Sequence, residues 1–199
     1  MSRLGERPVP EKVMTKKILE SWGRIIFFDW FKNRKSGKLD DYMLFTIADG
    51  MVPGMILPIT KTGKVIVVRQ FRQAAQQLVI EIPGGCTKPG EMQSPAMVAT
   101  RELKEETGYM AKRVIDLKPA MLDPFFIRIR HSLFLGLDCE KVCRPKIEDD
   151  EDPDMEVVEF DLHDWIKACL DGEIEDSKSV VATLRAIPYL KEFGVELKF

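Results

Sequence analysis

The sequence predicts an α/β fold in which a mixed sheet lies between helices. Val65–Val68 is apolar on both faces, and such a run predicts a buried strand at the centre of a sheet. The segment from Ser94 to Gly108 predicts one helix, because serine is a preferred N-cap, proline fits the first helical position and glycine suits the residue that closes a helix. Two further helices are expected at 161–170 and 177–190.

Residues 1–50 are expected to form an N-terminal arm and a small β-sheet, with strands from Lys16 onward. Arg24–Phe31 is rich in β-branched and aromatic residues, which favour strands, and Tyr42–Ile47 would pair with it as a hairpin. Residues 51–199 would form the main domain. Within that domain, runs of strand-forming residues predict strands at 55–58, 64–70, 78–82, 113–122, 131–138 and 157–160.

Composition restricts the classes of function. The 199 residues are 45% apolar and 31% charged, as in ordinary globular proteins, and a net charge of -2 gives no general attraction to nucleic acid or to an anionic membrane. The apolar run Ile25–Phe28 is broken by Asp29, and no segment reaches the length of a membrane span. Four scattered cysteines indicate reduced thiols and a cytosolic protein rather than a disulfide framework.

Carboxylates are concentrated on the predicted helix. Glu102, Glu105 and Glu106 are spaced three and four residues apart, which places them on one helical face. Arg101 can pair with Glu105, and at least two carboxylates remain without a cation. Clustered carboxylate oxygens suit a hard cation, Mg²⁺ or Mn²⁺, although such a face can also be simply solvated. A glycine turn at Gly84 lies upstream and could bring a backbone carbonyl oxygen close to the same cation.

These residues resemble the Nudix box, G-x5-E-x7-R-E-U-x-E-E-x-G-U, in which U is a bulky apolar residue. Its defining positions are filled, in order, by Gly85, Glu91, Arg101, Glu102, Leu103, Glu105, Glu106, Gly108 and Tyr109. Nine residues rather than seven separate Glu91 from Arg101, and the two additional residues, Met92 and Gln93, fall in the loop before the helix. The resemblance implies a Nudix-like α/β/α sandwich with metal-ligating carboxylates at Glu102, Glu105 and Glu106. It makes Arg101 and Glu105 candidate catalytic residues.

The segment upstream extends the resemblance. Val-Arg-Gln-Phe-Arg, followed by Glu-Ile-Pro-Gly-Gly, is similar to the Nudix enzymes that cleave ADP-ribose and other nucleoside diphosphate sugars. The likeness implies that Arg72 contacts the substrate diphosphate, that Glu81 lines the site and that the Gly84 carbonyl joins the metal shell. Pro124 stands where these enzymes carry a proline, but the residues that follow it differ from their pattern. Arg128, on an expected edge strand, is a candidate contact for phosphate or ribose.

Three further candidates come from other parts of the chain. Phe28 and Trp30 could stack on a nucleotide base or could belong to the core. In similar enzymes the general base is a glutamate in the loop before the last strand, and Glu151 holds that place within the acidic run 148–156. The N-terminal sheet of similar enzymes helps to build a homodimer, which is therefore expected here.

The expected function is metal-dependent hydrolysis of the diphosphate linkage in ADP-ribose or a related sugar nucleotide. Other Nudix substrates remain open, among them GDP-mannose, a damaged nucleoside triphosphate or a capped RNA end. RNA is the least favoured of these because the chain has no basic stripe. A sensor that binds a sugar nucleotide without cleaving it is the alternative from another class, and it would not require all three glutamates. The expected partners are a small sugar nucleotide and a second copy of the chain, with no nucleic acid and no membrane.

Overall fold

A computed structural model describes residues 9–146 and 152–195 of the chain. The chain divides into two compact units, one formed by Met1–Asp49 with Asp123–Ile129 and the other by Gly50–Leu122 with Arg130–Phe199. In the described ranges, no helix has both the length and the apolar character needed to cross a membrane. The four cysteines are free thiols.

The first unit is a three-stranded antiparallel sheet in the order β1-β2-β3. Its strands are β1 (Lys12–Ser21), β2 (Arg24–Lys32) and β3 (Leu39–Ile47). The predicted hairpin of β2 and β3 is confirmed. The sheet begins earlier than predicted, because the segment from Lys12 to Thr15, expected to be part of an arm, pairs with β2. Residues 123–129 belong to this unit through a bridge between Phe45 and Ile127.

The second unit contains a mixed eight-stranded sheet. Its strands are β4 (Pro53–Thr60), β5 (Lys64–Arg72), β6 (Gln77–Glu81), β7 (Gly84–Cys86), β8 (Tyr109–Met110), β9 (Arg113–Asp116), β10 (Ser132–Lys141) and β11 (Glu156–Asp161). The central order is β11-β5-β4-β10-β8, with β6 on β5, β7 on β4 and β9 on β10. The β4–β10 pair is parallel and the others are antiparallel. The predicted mixed sheet is therefore confirmed, whereas the short strands β7 and β8 were not expected.

Side chains that alternate along the central strands build two apolar layers. Helices α2 (Leu162–Asp171) and α3 (Ser177–Ala186) pack on one face of the sheet and α1 (Pro95–Glu102) packs on the other. Residues on the α2/α3 face include Leu57, Val65, Val67, Leu133, Leu135 and Trp165. Those on the α1 face include Ile56, Ile66, Ala99, Leu103 and Phe134. The expected α/β/α sandwich is confirmed.

Three expected elements differ in the structure. The strand expected at 113–122 ends at Asp116, and only an isolated bridge between Ala120 and His131 follows it. The last helix ends at Ala186, because Pro188 cannot continue the α-helical hydrogen bonding, and a 3-10 turn (Ile187–Tyr189) follows. The expectation that Arg128 lies on an edge strand is wrong, since the stretch from Phe125 to Arg130 forms a turn and a single bridge at Ile127.

Candidate active site

The helix of the box begins and ends at the predicted residues. The Ser94 side chain accepts a hydrogen bond from the backbone N–H of Met97 at 3.3 Å, and Gly108 closes the helix with a left-handed φ of 78°. The last turn, Leu103–Thr107, is a π-helix. A π turn replaces the i→i+4 pattern by i→i+5 hydrogen bonds, so the side chains after Glu102 are not distributed as in a regular α-helix.

The three box glutamates occupy two kinds of environment. Glu102 and Glu106 are buried, with 7% and 3% of their surface exposed. The Glu105 side chain is 29% exposed. Glu106 Oε2 accepts a hydrogen bond from the Gly84 N–H at 3.1 Å, which joins the glycine turn to the π turn. Burial of two carboxylates is costly without strong partners, so an ordinary solvated acidic face does not describe this helix.

Arg101 holds two of these carboxylates. Its Nη2 donates to Glu102 Oε1 at 2.7 Å and its Nη1 donates to Glu105 Oε2 at 2.5 Å. Burial opposes the charge of this guanidinium, but Glu102 and Glu105 outweigh that effect and raise the Arg101 pKa above its ordinary value. Arg101 Nε is buried and has no hydrogen-bond partner in the described part of the protein, so one donor is left for a water or a ligand oxygen.

Gly85 makes room for the Glu102 carboxylate. The glycine lies in β7 opposite Gly54 of β4, and a Cβ added to Gly85 would overlap both oxygens and Cδ of Glu102. No larger residue therefore fits there while Glu102 keeps its position. Glu91 is engaged in its own loop, where Oε2 accepts the Lys88 N–H at 3.1 Å.

Arg72, at the end of β5, is held by Glu81, at the end of β6. Arg72 Nε donates to Glu81 Oε1 at 2.5 Å across this strand pair. The Glu81 side chain is 3% exposed and the Arg72 side chain is 44% exposed, so the carboxylate anchors a guanidinium that still reaches solvent. Within the described residues, the two terminal amino groups of Arg72 have no hydrogen-bond partner, and an anion could bind to both.

A third group of polar residues at this site was not predicted. Lys178, in the first turn of α3, lies 3.4 Å from Glu81 Oε2 and donates to Asp176 Oδ1 at 2.5 Å. The sequence contains a signal for half of this arrangement, because Asp176 directly precedes the helix and is a favourable N-cap. The contact between Lys178 and Glu81 joins residues 97 positions apart, and no local pattern in the sequence predicts it.

The remaining predicted site residues lie in the first unit or outside the described residues. Arg128 belongs to the first unit, where it pairs with the buried Asp29 and lies 4.6 Å from the centre of the Phe27 ring. Phe28 and Trp30 are half-buried neighbours on β2, with ring centroids 5.9 Å apart. Glu151 lies outside the described residues.

The donor set suits a hard divalent cation. The oxygens of Glu102, Glu105 and Glu106 lie within two turns of one helix, and carboxylate oxygen is the ligand type that Mg²⁺ and Mn²⁺ prefer. Among residues 9–146 and 152–195, however, no three His, Cys, Asp or Glu side chains converge as a preformed metal site. The carboxylates are held instead by Arg101 and by the glycine turn, and they would have to adjust to complete a coordination shell.

The sequence and the fold both have known relatives. Residues 52–182 match the NUDIX domain. The ADP-ribose pyrophosphatase of Bacillus subtilis (strain 168) is 38% identical over 136 residues, which are 68% of this chain and 70% of that protein. The GDP-mannose pyrophosphatase of Yersinia pestis (strain Pestoides F) is 30% identical over 128 residues, which are 60% of this chain and 62% of that protein.

A solved structure described as an ADP compounds hydrolase superposes with a TM-score of 0.77 and covers 96% of this chain and 100% of its own. At 20% sequence identity this similarity shows a shared fold and nothing more. The domain match covers most of the chain and agrees with the box helix and the glycine turn that contacts it. This chain therefore belongs to the NUDIX family of hydrolases, which depend on a divalent metal.

Proposed function

We propose that the protein hydrolyses the diphosphate linkage of ADP-ribose or a closely related nucleoside diphosphate sugar, releasing a nucleoside monophosphate and a sugar phosphate. One observation carries the proposal: the short turn Glu81–Gly84 is tied at one end to the partly exposed Arg72 and at the other end to the buried Glu106. An anion-binding guanidinium and the box carboxylates are thereby fixed to the same four residues. A diphosphate requires this combination of a cationic side chain and a metal-binding carboxylate cluster.

The metal would be Mg²⁺ or Mn²⁺, held by Glu102, Glu105 and Glu106 with the Gly84 carbonyl. When bound, such an ion neutralises diphosphate charge and lowers the pKa of an attacking water. Arg101 keeps Glu102 and Glu105 oriented, and both contacts are charge-assisted hydrogen bonds. Arg72 would offset the negative charge that develops on the phosphate oxygens during the reaction.

Glu151 is the proposed general base. The resemblance to similar enzymes supports the assignment, and so does the neighbouring residue, Asp152. Its Oδ2 accepts a hydrogen bond from the Phe71 N–H at 2.6 Å, one residue before Arg72. The described end of the acidic segment is therefore attached to the strand that carries the proposed phosphate contact.

Base recognition and assembly are further parts of the proposal. Phe28 and Trp30 are half-buried rings that could stack on a base, and Arg128 is the proposed contact for ribose or phosphate. A homodimer built through the N-terminal sheet is supported by the large apolar residues that β1 exposes, whose exposed fractions are 50% for Ile18 and 55% for Leu19. Light scattering of the full chain would give twice the monomer mass, and an Ile18→Glu variant would shift it toward the monomer.

The GDP-mannose pyrophosphatase relative makes GDP-mannose the second candidate substrate. The decisive experiment is a competition assay with ADP-ribose, GDP-mannose and a deoxynucleoside triphosphate, each tested with Mg²⁺ and with Mn²⁺. The nucleoside monophosphates formed are separated by chromatography and quantified, so that the turnover of each substrate is measured from its own product. We expect the highest kcat/KM for ADP-ribose and the lowest for the triphosphate.

Other outcomes of this assay would separate the alternatives. A higher kcat/KM for GDP-mannose would replace the substrate while leaving the diphosphate-sugar chemistry in place. Preference for the triphosphate would contradict the proposed class of substrate. Tight binding of ADP-ribose without any turnover would identify the protein as a sensor.

A further inference from the structure

The ammonium group of Lys178 lies between two buried carboxylates. It donates to Asp176 Oδ1 at 2.5 Å and lies 3.4 Å from Glu81 Oε2. The Lys178 side chain is 24% exposed, whereas those of Asp176 and Glu81 are 8% and 3% exposed. Burial lowers the Lys178 pKa, but the two carboxylates outweigh it and raise the pKa above its ordinary value, so the ammonium stays charged.

The opposite side of Glu81 binds a second cation. Arg72 Nε donates to Oε1 while Lys178 faces Oε2, so each oxygen of this buried carboxylate has its own positive partner. The result is a chain of alternating charges that runs from α3 to the end of β5. It ends at the partly exposed guanidinium of Arg72.

The α3 end of this chain is firmly anchored. Asp176 Oδ2 accepts hydrogen bonds from the Ser179 N–H at 2.9 Å and from its hydroxyl at 2.6 Å. Ser179 Oγ in turn accepts the N–H of Ile82 at 2.9 Å, and Ile82 directly follows Glu81. The first turn of α3 therefore holds both the backbone and the side chain at the end of β6.

We propose that Lys178 is a positioning residue for Arg72 and acts through Glu81, an inference that rests on the proposed function. Because Lys178 occupies Oε2, Arg72 binds Glu81 through Nε alone, and among the described residues both of its terminal amino groups stay available for the diphosphate. Without Lys178, Oε2 would be buried and unpaired. The planar fork of Arg72 could then engage both oxygens at once, which would withdraw an amino group from the substrate.

A double-mutant cycle tests this role. Lys178→Met removes the charge and keeps most of the side-chain volume, Lys178→Arg keeps the charge, and each is made with Arg72 intact and with Arg72→Gln. Lys167→Met serves as the matched control, because Lys167 lies on the exposed side of α2 and pairs only with Asp171 in the described part of the chain. Both kcat and KM are measured on the nucleoside diphosphate sugar with the highest kcat/KM, and thermal unfolding is followed in parallel.

We expect Lys178→Met to lower kcat/KM by about 10- to 100-fold, the range for a displaced positioning group, with most of the loss in kcat. Lys178→Arg should recover most of the activity and Lys167→Met should match the wild type. In the Arg72→Gln background, Lys178→Met should change kcat/KM by less than about twofold, because the group it positions is absent.

Two results would overturn the inference. The first is wild-type kcat/KM in Lys178→Met. The second is the same fold loss with and without Arg72, which would mean that Lys178 acts independently of the guanidinium. If Lys178→Met does not fold at the assay temperature, the whole cycle is measured at a lower temperature at which all of its members are folded. If the wild type turns over none of the sugar nucleotides, the proposed function is contradicted instead. The wild type is assayed first, so this outcome is known before any variant is compared.

Discussion

Replacing Gly85 by alanine should disable the enzyme without unfolding it. The added Cβ would lie 2.5 Å from Glu102 Cδ and 3.0 Å from Oε2, and it would overlap Oε1. Carbon atoms in contact are separated by about 3.5–4.0 Å, so the carboxyl group must retreat by about 1 Å. A displacement of about 1 Å at a catalytic site costs about 100-fold in rate, and we expect kcat to fall by about that factor.

Stability should respond far less than activity. The atoms in the way are the end of a side chain, which can move, and alanine in place of glycine restricts the unfolded chain. We therefore expect the free energy of unfolding of Gly85→Ala to stay within about 1 kcal/mol of the wild type. The assay combines steady-state hydrolysis of ADP-ribose in Mg²⁺ with urea unfolding of the same preparation.

Gly54→Ala provides the contrasting control. Its Cβ would lie 2.9 Å from the backbone nitrogen of Ala99 and would overlap the carbonyl oxygen of Pro95. Backbone atoms of α1 cannot shift without a large energetic cost. The free energy of unfolding of this variant should therefore fall by about 1–3 kcal/mol or more. Wild-type turnover in a stably folded Gly85→Ala protein would refute the argument that the position of Glu102 limits the reaction.

Three further predictions concern single side chains. Glu106→Gln keeps an acceptor for the Gly84 N–H but removes a charge, so kcat should fall by about 100-fold or more while thermal unfolding changes little; near-normal turnover would remove Glu106 from the mechanism. Arg72→Lys loses the planar fork, so kcat/KM should fall by about tenfold or more, and an unchanged value would mean that Arg72 does not contact the diphosphate. Burial and the neighbouring Lys178 lower the His131 pKa, so the unfolded chain binds this proton more readily. Stability should therefore rise as the pH increases toward the ordinary histidine pKa of about 6.5. His131→Gln should flatten that rise in urea unfolding, and an equal slope in the variant would contradict the prediction.

Local signals predicted the parts of the fold that depend on local chemistry. The cap at Ser94 and the left-handed Gly108 each act within a few residues, and both helix ends follow from them. The apolar run at 65–68 is buried because it is central in the sheet. In β1, by contrast, every residue is exposed, so no alternation of apolar and polar residues marked the strand.

Long-range contacts explain what the sequence did not indicate. The Lys178–Glu81 pair depends on the packing of α3 against the sheet. Arg128 belongs to the N-terminal unit because it pairs with the buried Asp29, 99 residues earlier. In the π turn Glu106 is buried and Glu105 is partly exposed. Regular α-helical spacing had instead predicted that the three box glutamates share a single face.

The central claim is that the carboxylates of this helix support metal-dependent cleavage between the two phosphates. It is tested most directly by identifying the products formed from ADP-ribose in ¹⁸O-labelled water, with Mg²⁺ and with EDTA. The account predicts AMP and ribose 5-phosphate in equal amounts with Mg²⁺, one ¹⁸O atom in the phosphate group of one of the two, and no products with EDTA. Release of ADP and ribose, or formation of AMP at an undiminished rate in EDTA, would contradict it.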